Sequence, residues 1–108
     1  QKEINIILKD TKLLENAGVF SIVLECVETK LSKQITSNIK IPTIGIGSSS
    51  NCDGQVLVID DLIGMSDSKF KFVKKYVDVS KIINSAVKKY KNEVKNKKFP
   101  EVKHSFAN

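Results

Sequence analysis

Val19-Phe20-Ser21-Ile22-Val23-Leu24-Glu25 sets five apolar residues and one serine against a carboxylate. A short, β-branched, nearly all-apolar run of this kind suits a parallel strand covered on both faces. It stops at Glu25. Ile41-Pro42-Thr43-Ile44-Gly45-Ile46-Gly47 repeats the pattern, with Pro42 tolerable at a strand's beginning. Gln55-Val56-Leu57-Val58-Ile59 repeats it again and halts at Asp60-Asp61.

Working outward, residues 28–38 read as a helix with Leu31 and Ile35 four apart, and residues 48–54 as a loop. Upstream, Ile4, Ile7, Leu8 and Leu14 share a helical face that Ile6 and Leu13 widen, and Gly18 stands where a helix C-cap is expected. Downstream, a turn over 64–68 leads to a short amphipathic segment carrying Phe70, Phe72, Val73, Tyr76 and Val77. Val79, Ile82, Ile83, Ala86, Val87, Tyr90 and Val94 then form a 3.6-residue stripe. Lys88, Lys89, Lys91 and Lys95 favour its C-terminal end, where cations suit the helix dipole. The tail over 97–108 has no period. Helices alternating with parallel-type strands predict an α/β fold, either a small open sheet or a slice of a (β/α)8 barrel. Such a barrel needs ~250 residues to close, whereas this chain has 108. Both architectures put chemistry at the carboxyl ends of the strands.

All 18 basic residues are lysines, set against 12 acids, for a net charge of +6. The balance is −3 over residues 1–68 and +9 over 69–108. A lysine-rich C-terminal third can bind anions or nucleic acid through counterion release, yet base readout leans on arginine forks and stacking platforms that this chain lacks. Solvated helix faces explain the lysines more simply. No apolar run approaches the ~20 residues of a membrane span, and no signal-peptide pattern opens the chain. Gln1 is not an initiator methionine, which leaves room for a longer parent chain. Cys26 is expected to pack as a small hydrophobe inside its strand, and Cys52 to stand in a polar loop. Neither has a partner at metal-ligand spacing, and a reducing, cytoplasmic setting is expected.

The three strand ends gather the polar residues. Glu25 either sits half-buried at a pocket rim, where burial would raise its pKa toward that of a general base, or turns to solvent or a lysine. Gly45-x-Gly47 with Ser48-Ser49-Ser50 lacks the third glycine of a dinucleotide fingerprint and the lysine of a P-loop. Close packing of strand and loop is its simpler reading. Asp60-Asp61 looks like a metal-binding pair, but adjacent strand residues point to opposite faces. His104-Ser105 has no third partner and reads as a docking tail.

Several stretches carry a family resemblance. Gly18 through Val27 contains Val23-Leu24-Glu25-Cys26-Val27, and resembles the "VLECV" strand of the ketopantoate hydroxymethyltransferases. Ile41 to Gly47 is similar to their "IPTIGIG" strand, and Asp53-Gly54-Gln55-Val56-Leu57-Val58 to their "DGQVLV" segment. Asp61-Leu62-Ile63-Gly64, Phe70-x-Phe72-Val73-Lys74, Phe99-Pro100 and His104-Ser105-Phe106 follow in family order. The resemblance implies the C-terminal portion of a (β/α)8 barrel, about three parallel strands with helices, with residues 1–108 as one partial domain.

It also implies transfer of a one-carbon unit from 5,10-methylenetetrahydrofolate to 3-methyl-2-oxobutanoate, giving 2-dehydropantoate on the way to pantothenate and coenzyme A. In that family a magnesium ion polarises the 2-oxo acid, and the glutamate of "VLECV" takes the C3 proton, a role that falls on Glu25. The magnesium and substrate ligands belong to the family's N-terminal half, so no metal ligand is assigned here. A partial chain is expected to be inactive alone, and the complete enzyme to be a homo-oligomer, a decamer by resemblance. Two rivals stand beside this reading: a noncatalytic lysine-rich anion or nucleic-acid binding module, and a related barrel enzyme acting on another 2-oxo acid. The chain departs from the family pattern at Glu28, where a proline is frequent, and at Ser48-Ser49-Ser50, where "GAG" or similar is usual. The stretch after Gly64 is one residue shorter and lacks the proline before Lys71-Phe72-Val73.

Overall fold

The structure is a computed structural model and describes residues 2–106. Helix α1 (Lys2–Asn16) precedes strand β1 (Ile22–Glu25), helix α2 (Thr29–Asn38) and strand β2 (Thr43–Ile46). Strand β3 (Gly54–Gln55), helix α3 (Ile59–Leu62), helix α4 (Val79–Lys95) and a 3-10 turn (Val102–His104) complete the order. The strands are parallel and run β1-β2-β3 across the sheet. Ile22 pairs with Thr43 and Glu25 with Ile46, while Ile44 pairs with Gly54. The chain's contacts gather into two compact units, residues 1–58 with 68–74, and residues 59–67 with 75–108.

In the first unit, one face of the sheet is buried; on the other, the β1 residues Val23 and Glu25 are exposed and the β2 residues Ile44 and Ile46 are part-buried. Ile22 and Leu24 point into a core with Leu31, Ile35, Ile39 and Cys52, flanked by Ile7, Leu8, Val19, Val27 and Ile41. Val23, between them, is 59% exposed. That alternation follows from the period of two along a strand when helices cover a single face. The expectation of strands covered on both faces is therefore not met among the described residues.

Local chemistry explains the element ends. Gly18 adopts φ +87° after α1, and its N–H donates to the Glu15 carbonyl, the left-handed helix stop expected there. Glu28 caps α2 by accepting the Leu31 N–H at 3.0 Å. Ser32, fully buried in α2, satisfies its hydroxyl on the carbonyls of Val27 and Glu28.

Two expected elements are corrected. The third strand keeps only Gly54–Gln55, with one further ladder bond from Val56 N–H to the Gly45 carbonyl. Val56 and Val58 lie about half exposed, since no described element pairs with the outer edge of β3. Ile59, Asp60 and Asp61 instead open α3, where first-turn carboxylates suit the helix dipole. The segment over 70–77 is not helical; Phe70 and Phe72 stack within it with ring centroids 5.5 Å apart.

In the second unit, Asp78 caps α4 through the Lys81 N–H at 3.0 Å. The apolar stripe of α4 forms as expected but stays open, with Ile82 61% and Val87 58% exposed. The tail docks: Phe99 meets Tyr90 edge-on at 5.4 Å, and His104 lies 5.3 Å from Phe99.

Candidate functional site at the strand carboxyl ends

Glu25 is the last residue of β1 and faces away from the core, on the side of Val23. It is exposed rather than half-buried, while Ile46, its register partner on β2, is part-buried. The chain turns sharply just beyond. Cys26 takes φ +53°, a left-handed conformation uncommon for a side-chain-bearing residue, and its N–H donates to the Ile46 carbonyl at 2.8 Å. Ser48, on the loop after β2, clamps the same turn. Its Oγ donates to the Leu24 carbonyl at 2.7 Å and accepts the Val27 N–H at 3.0 Å. The backbone on both sides of Glu25 is thus held from β2.

An open cavity of about 550 Å³ lies at these strand ends. Cys26 and Thr29 line it from the β1–α2 turn, Gly47 and Ser48 from the end of β2, and Gln55 from β3. Lys71 and Phe72 close one side. Gly47 sits at φ +63°, and a Cβ there would come within 2.8 Å of the Phe72 ring. A Cβ on Gly45 would meet the Gln55 amide at 2.8 Å. The Gly45-x-Gly47 pattern therefore serves close packing, the simpler of its two readings. Ser49 is buried and accepts from the Asn51 N–H and side-chain amide, while Gln55 Nε2 donates to the Ser49 carbonyl.

The two cysteines exchange their expected settings. Cys26 is exposed on the cavity wall, and Cys52 belongs to the core. The left-handed turn swings Cys26 out of the strand's alternation, and the loop after β2 folds Cys52 back onto the helices. Asp60 and Asp61 stand on α3 rather than at a strand end. The Asp61 carboxylate accepts from Ser66, and the Asp60 carbonyl accepts the N–H groups of Met65 and Ser66, so the pair ties a turn.

Sequence reasoning missed a second polar cluster. The Asp53 carboxylate accepts the Thr43 N–H at 2.8 Å and the Thr43 hydroxyl at 3.1 Å, and the Thr43 hydroxyl lies 2.8 Å from that of Thr36. This cluster secures the start of β2. Its only sequence signal is an aspartate just before a glycine, which alone reads as an ordinary turn. Among the described residues no group of three or more His, Cys, Asp or Glu side chains could hold a metal ion. No described helix is long and apolar enough to cross a membrane.

Comparison with known proteins places this arrangement. The family model described as ketopantoate hydroxymethyltransferase matches residues 1–102. The chain is 61% identical over 104 residues to the 3-methyl-2-oxobutanoate hydroxymethyltransferase of Pelagibacter ubique, covering 96% of this chain and 40% of that relative. It is 55% identical over 102 residues to the protein of the same name from Carboxydothermus hydrogenoformans, covering 94% and 37%. With that of Syntrophus aciditrophicus it shares 53% over 102 residues, covering 93% and 37%. The chain thus spans about two fifths of the length of the curated relatives it matches.

Proposed function

Because the chain belongs to the ketopantoate hydroxymethyltransferase family, we propose that it supplies the proton-accepting end of a 3-methyl-2-oxobutanoate hydroxymethyltransferase. The observation that carries this reading is the placement of Glu25. It ends a parallel strand, on the face free of helices, with its backbone held by Ser48 and the Ile46 carbonyl. In a (β/α)8 barrel that face is the interior and that end is the catalytic mouth. The three strands and their helices are then part of such a barrel, residues 1–108 forming one partial domain.

The reaction proposed is one-carbon transfer from 5,10-methylenetetrahydrofolate. A Glu25 oxygen takes the proton from C3 of the 2-oxo acid, and the resulting enolate carbon attacks the donor's methylene carbon. Both carbon–nitrogen bonds to the donor's methylene carbon break, one replaced by the bond to C3 and one by the bond to a water oxygen, which becomes the new hydroxyl of 2-dehydropantoate; tetrahydrofolate leaves with its two nitrogens carrying the proton taken from C3 and one from that water. The residues present do not fit the family's magnesium ion, since no described cluster offers three ligands. No step is therefore routed through it, and its ligands are assigned outside these residues. The chain alone is proposed to be inactive, its activity belonging to a longer, cytoplasmic, homo-oligomeric protein.

The test uses a full-length chimera in which this chain replaces the matching 40% of the Pelagibacter ubique relative. Deuterium exchange at C3 of 3-methyl-2-oxobutanoate, measured without folate, isolates the proton step. Glu25→Gln is expected to slow exchange at least 100-fold, the lower range for loss of a general base, with substrate affinity little changed. Exchange at the unsubstituted rate would remove Glu25 from the role.

A further inference from the structure

Three consecutive peptide groups around Glu25 are each tied to the end of β2 or the loop after it. Ser48 Oγ donates to the Leu24 carbonyl at 2.7 Å, and the Val27 N–H donates back to Ser48 Oγ at 3.0 Å. Between them, the Cys26 N–H donates to the Ile46 carbonyl at 2.8 Å. Beyond the turn, the buried Ser32 donates to the Val27 carbonyl and fixes the exit into α2.

The turn needs this holding. Cys26 sits at φ +53°, in a region that residues bearing a side chain occupy only rarely. Such a conformation persists where its surroundings over-determine it. Relaxation of Cys26 toward ordinary φ would re-route the chain one residue after Glu25, and Glu25 would lose its fixed Cα–Cβ direction. The backbone bond from Cys26 to Ile46 secures one of the three peptide groups whatever the side chains are. The other two depend on a single hydroxyl. Ser48 belongs to the stretch where the chain departs from the family pattern, so this hydroxyl is no part of the resemblance.

We propose that Ser48 is a positioning residue for the proton transfer, fixing through the backbone the direction in which the Glu25 side chain leaves the end of β1. The inference rests on the transferase reading above and adds to it a residue that acts through Glu25 rather than on the substrate. A general base works only within hydrogen-bond reach of the proton it takes, and a misplacement of about 1 Å can cost ~100-fold in rate.

The test measures folate-free C3 exchange in the full-length chimera, at a temperature where circular dichroism shows each variant folded. Ser48→Ala is expected to slow exchange about tenfold at saturating 3-methyl-2-oxobutanoate, with the KM for that acid unchanged. Ser48→Thr should restore most of the rate. Ser48→Cys, which keeps the size of the side chain but hydrogen-bonds weakly, should fall between. Thr36→Ala removes a hydroxyl that meets Thr43 at the opposite end of β2, and it should exchange at the unsubstituted rate. An unchanged rate in Ser48→Ala, an equal loss in Thr36→Ala, a Ser48→Thr variant as slow as Ser48→Ala, or a loss carried by KM alone overturns the positioning role. Slow exchange in Glu25→Gln beside full exchange in Ser48→Ala removes Ser48 only, whereas full exchange in Glu25→Gln removes the reading beneath it.

Discussion

The Ser48 hydroxyl reaches two backbone groups that lie on either side of Glu25, the Leu24 carbonyl and the Val27 N–H. Its two partners are 24 and 21 residues away in the chain, so nothing local in a run of three serines distinguishes it from its neighbours. Glu25 was legible for the opposite reason: an apolar strand that stops at a carboxylate announces its own end. Ser48→Ala removes two hydrogen bonds at a partly buried turn. It should lower stability by about 1–3 kcal/mol, read from urea unfolding. Ser48→Thr, which keeps the hydroxyl, should recover most of the loss. At Gly47 the constraint is steric. Gly47→Ala must accept φ +63° and a collision with the Phe72 ring, so it should displace Phe72 and lower stability by about 1–3 kcal/mol, read from urea unfolding.

At the scale of elements, carboxylates hold the ends of α1 and α2. Glu15, near the end of α1, accepts from Lys12 Nζ and from the Lys40 N–H, each at 2.5 Å. The Lys12 side chain, then the Lys40 backbone, hold its carboxyl below the usual range. Glu28 at the start of α2 is lowered by the backbone N–H groups of Lys30 and Leu31. Both groups bind protons less readily when folded than when unfolded, so their contribution is present above the ordinary value of 4.5. It is lost as pH falls through the lowered folded values. The urea midpoint should therefore hold steady from pH 7 to about 5 and decline below pH 4.5, and Glu15→Gln with Glu28→Gln should flatten that decline. The helices themselves were readable because caps and 3.6-residue periods are local. The third strand was not, because strand length depends on a partner: Val56-Leu57-Val58 has the right composition, but no described strand lies on its outer side.

For the molecule as a whole, apolar surface decides the behaviour. Val23 and Val56 lie exposed in the sheet unit, as do Leu13 and Leu14 on α1. In the other unit, Ile82, Ile83, Val87, Tyr90 and Val94 leave the α4 stripe open. Six residues form the buried apolar core among those described, too few to offset so much exposed hydrocarbon. The isolated chain should therefore self-associate. Sedimentation should give a mass that rises between about 10 and 500 µM, with a melting temperature that rises with it; a sharp melt of a monomer independent of concentration would contradict this. The C-terminal lysines bear on the rival anion-binding reading. The transferase reading expects weak nucleic-acid retention at low salt that vanishes near physiological ionic strength, without a defined site.

By itself the sequence determined the helices, the parallel α/β pattern, the family, and the carboxylate at the end of β1. Periodicity, capping and motif order are properties of neighbouring residues. Only the tertiary structure decided that Cys26 lines a cavity while Cys52 is buried, that Ser48 clamps the turn after Glu25, and that Lys71 and Phe72 lie beside Gly47. Each of those depends on contacts between segments some 20 or more residues apart. The free energy of such contacts comes from shape and hydrogen-bond partners that no single segment specifies.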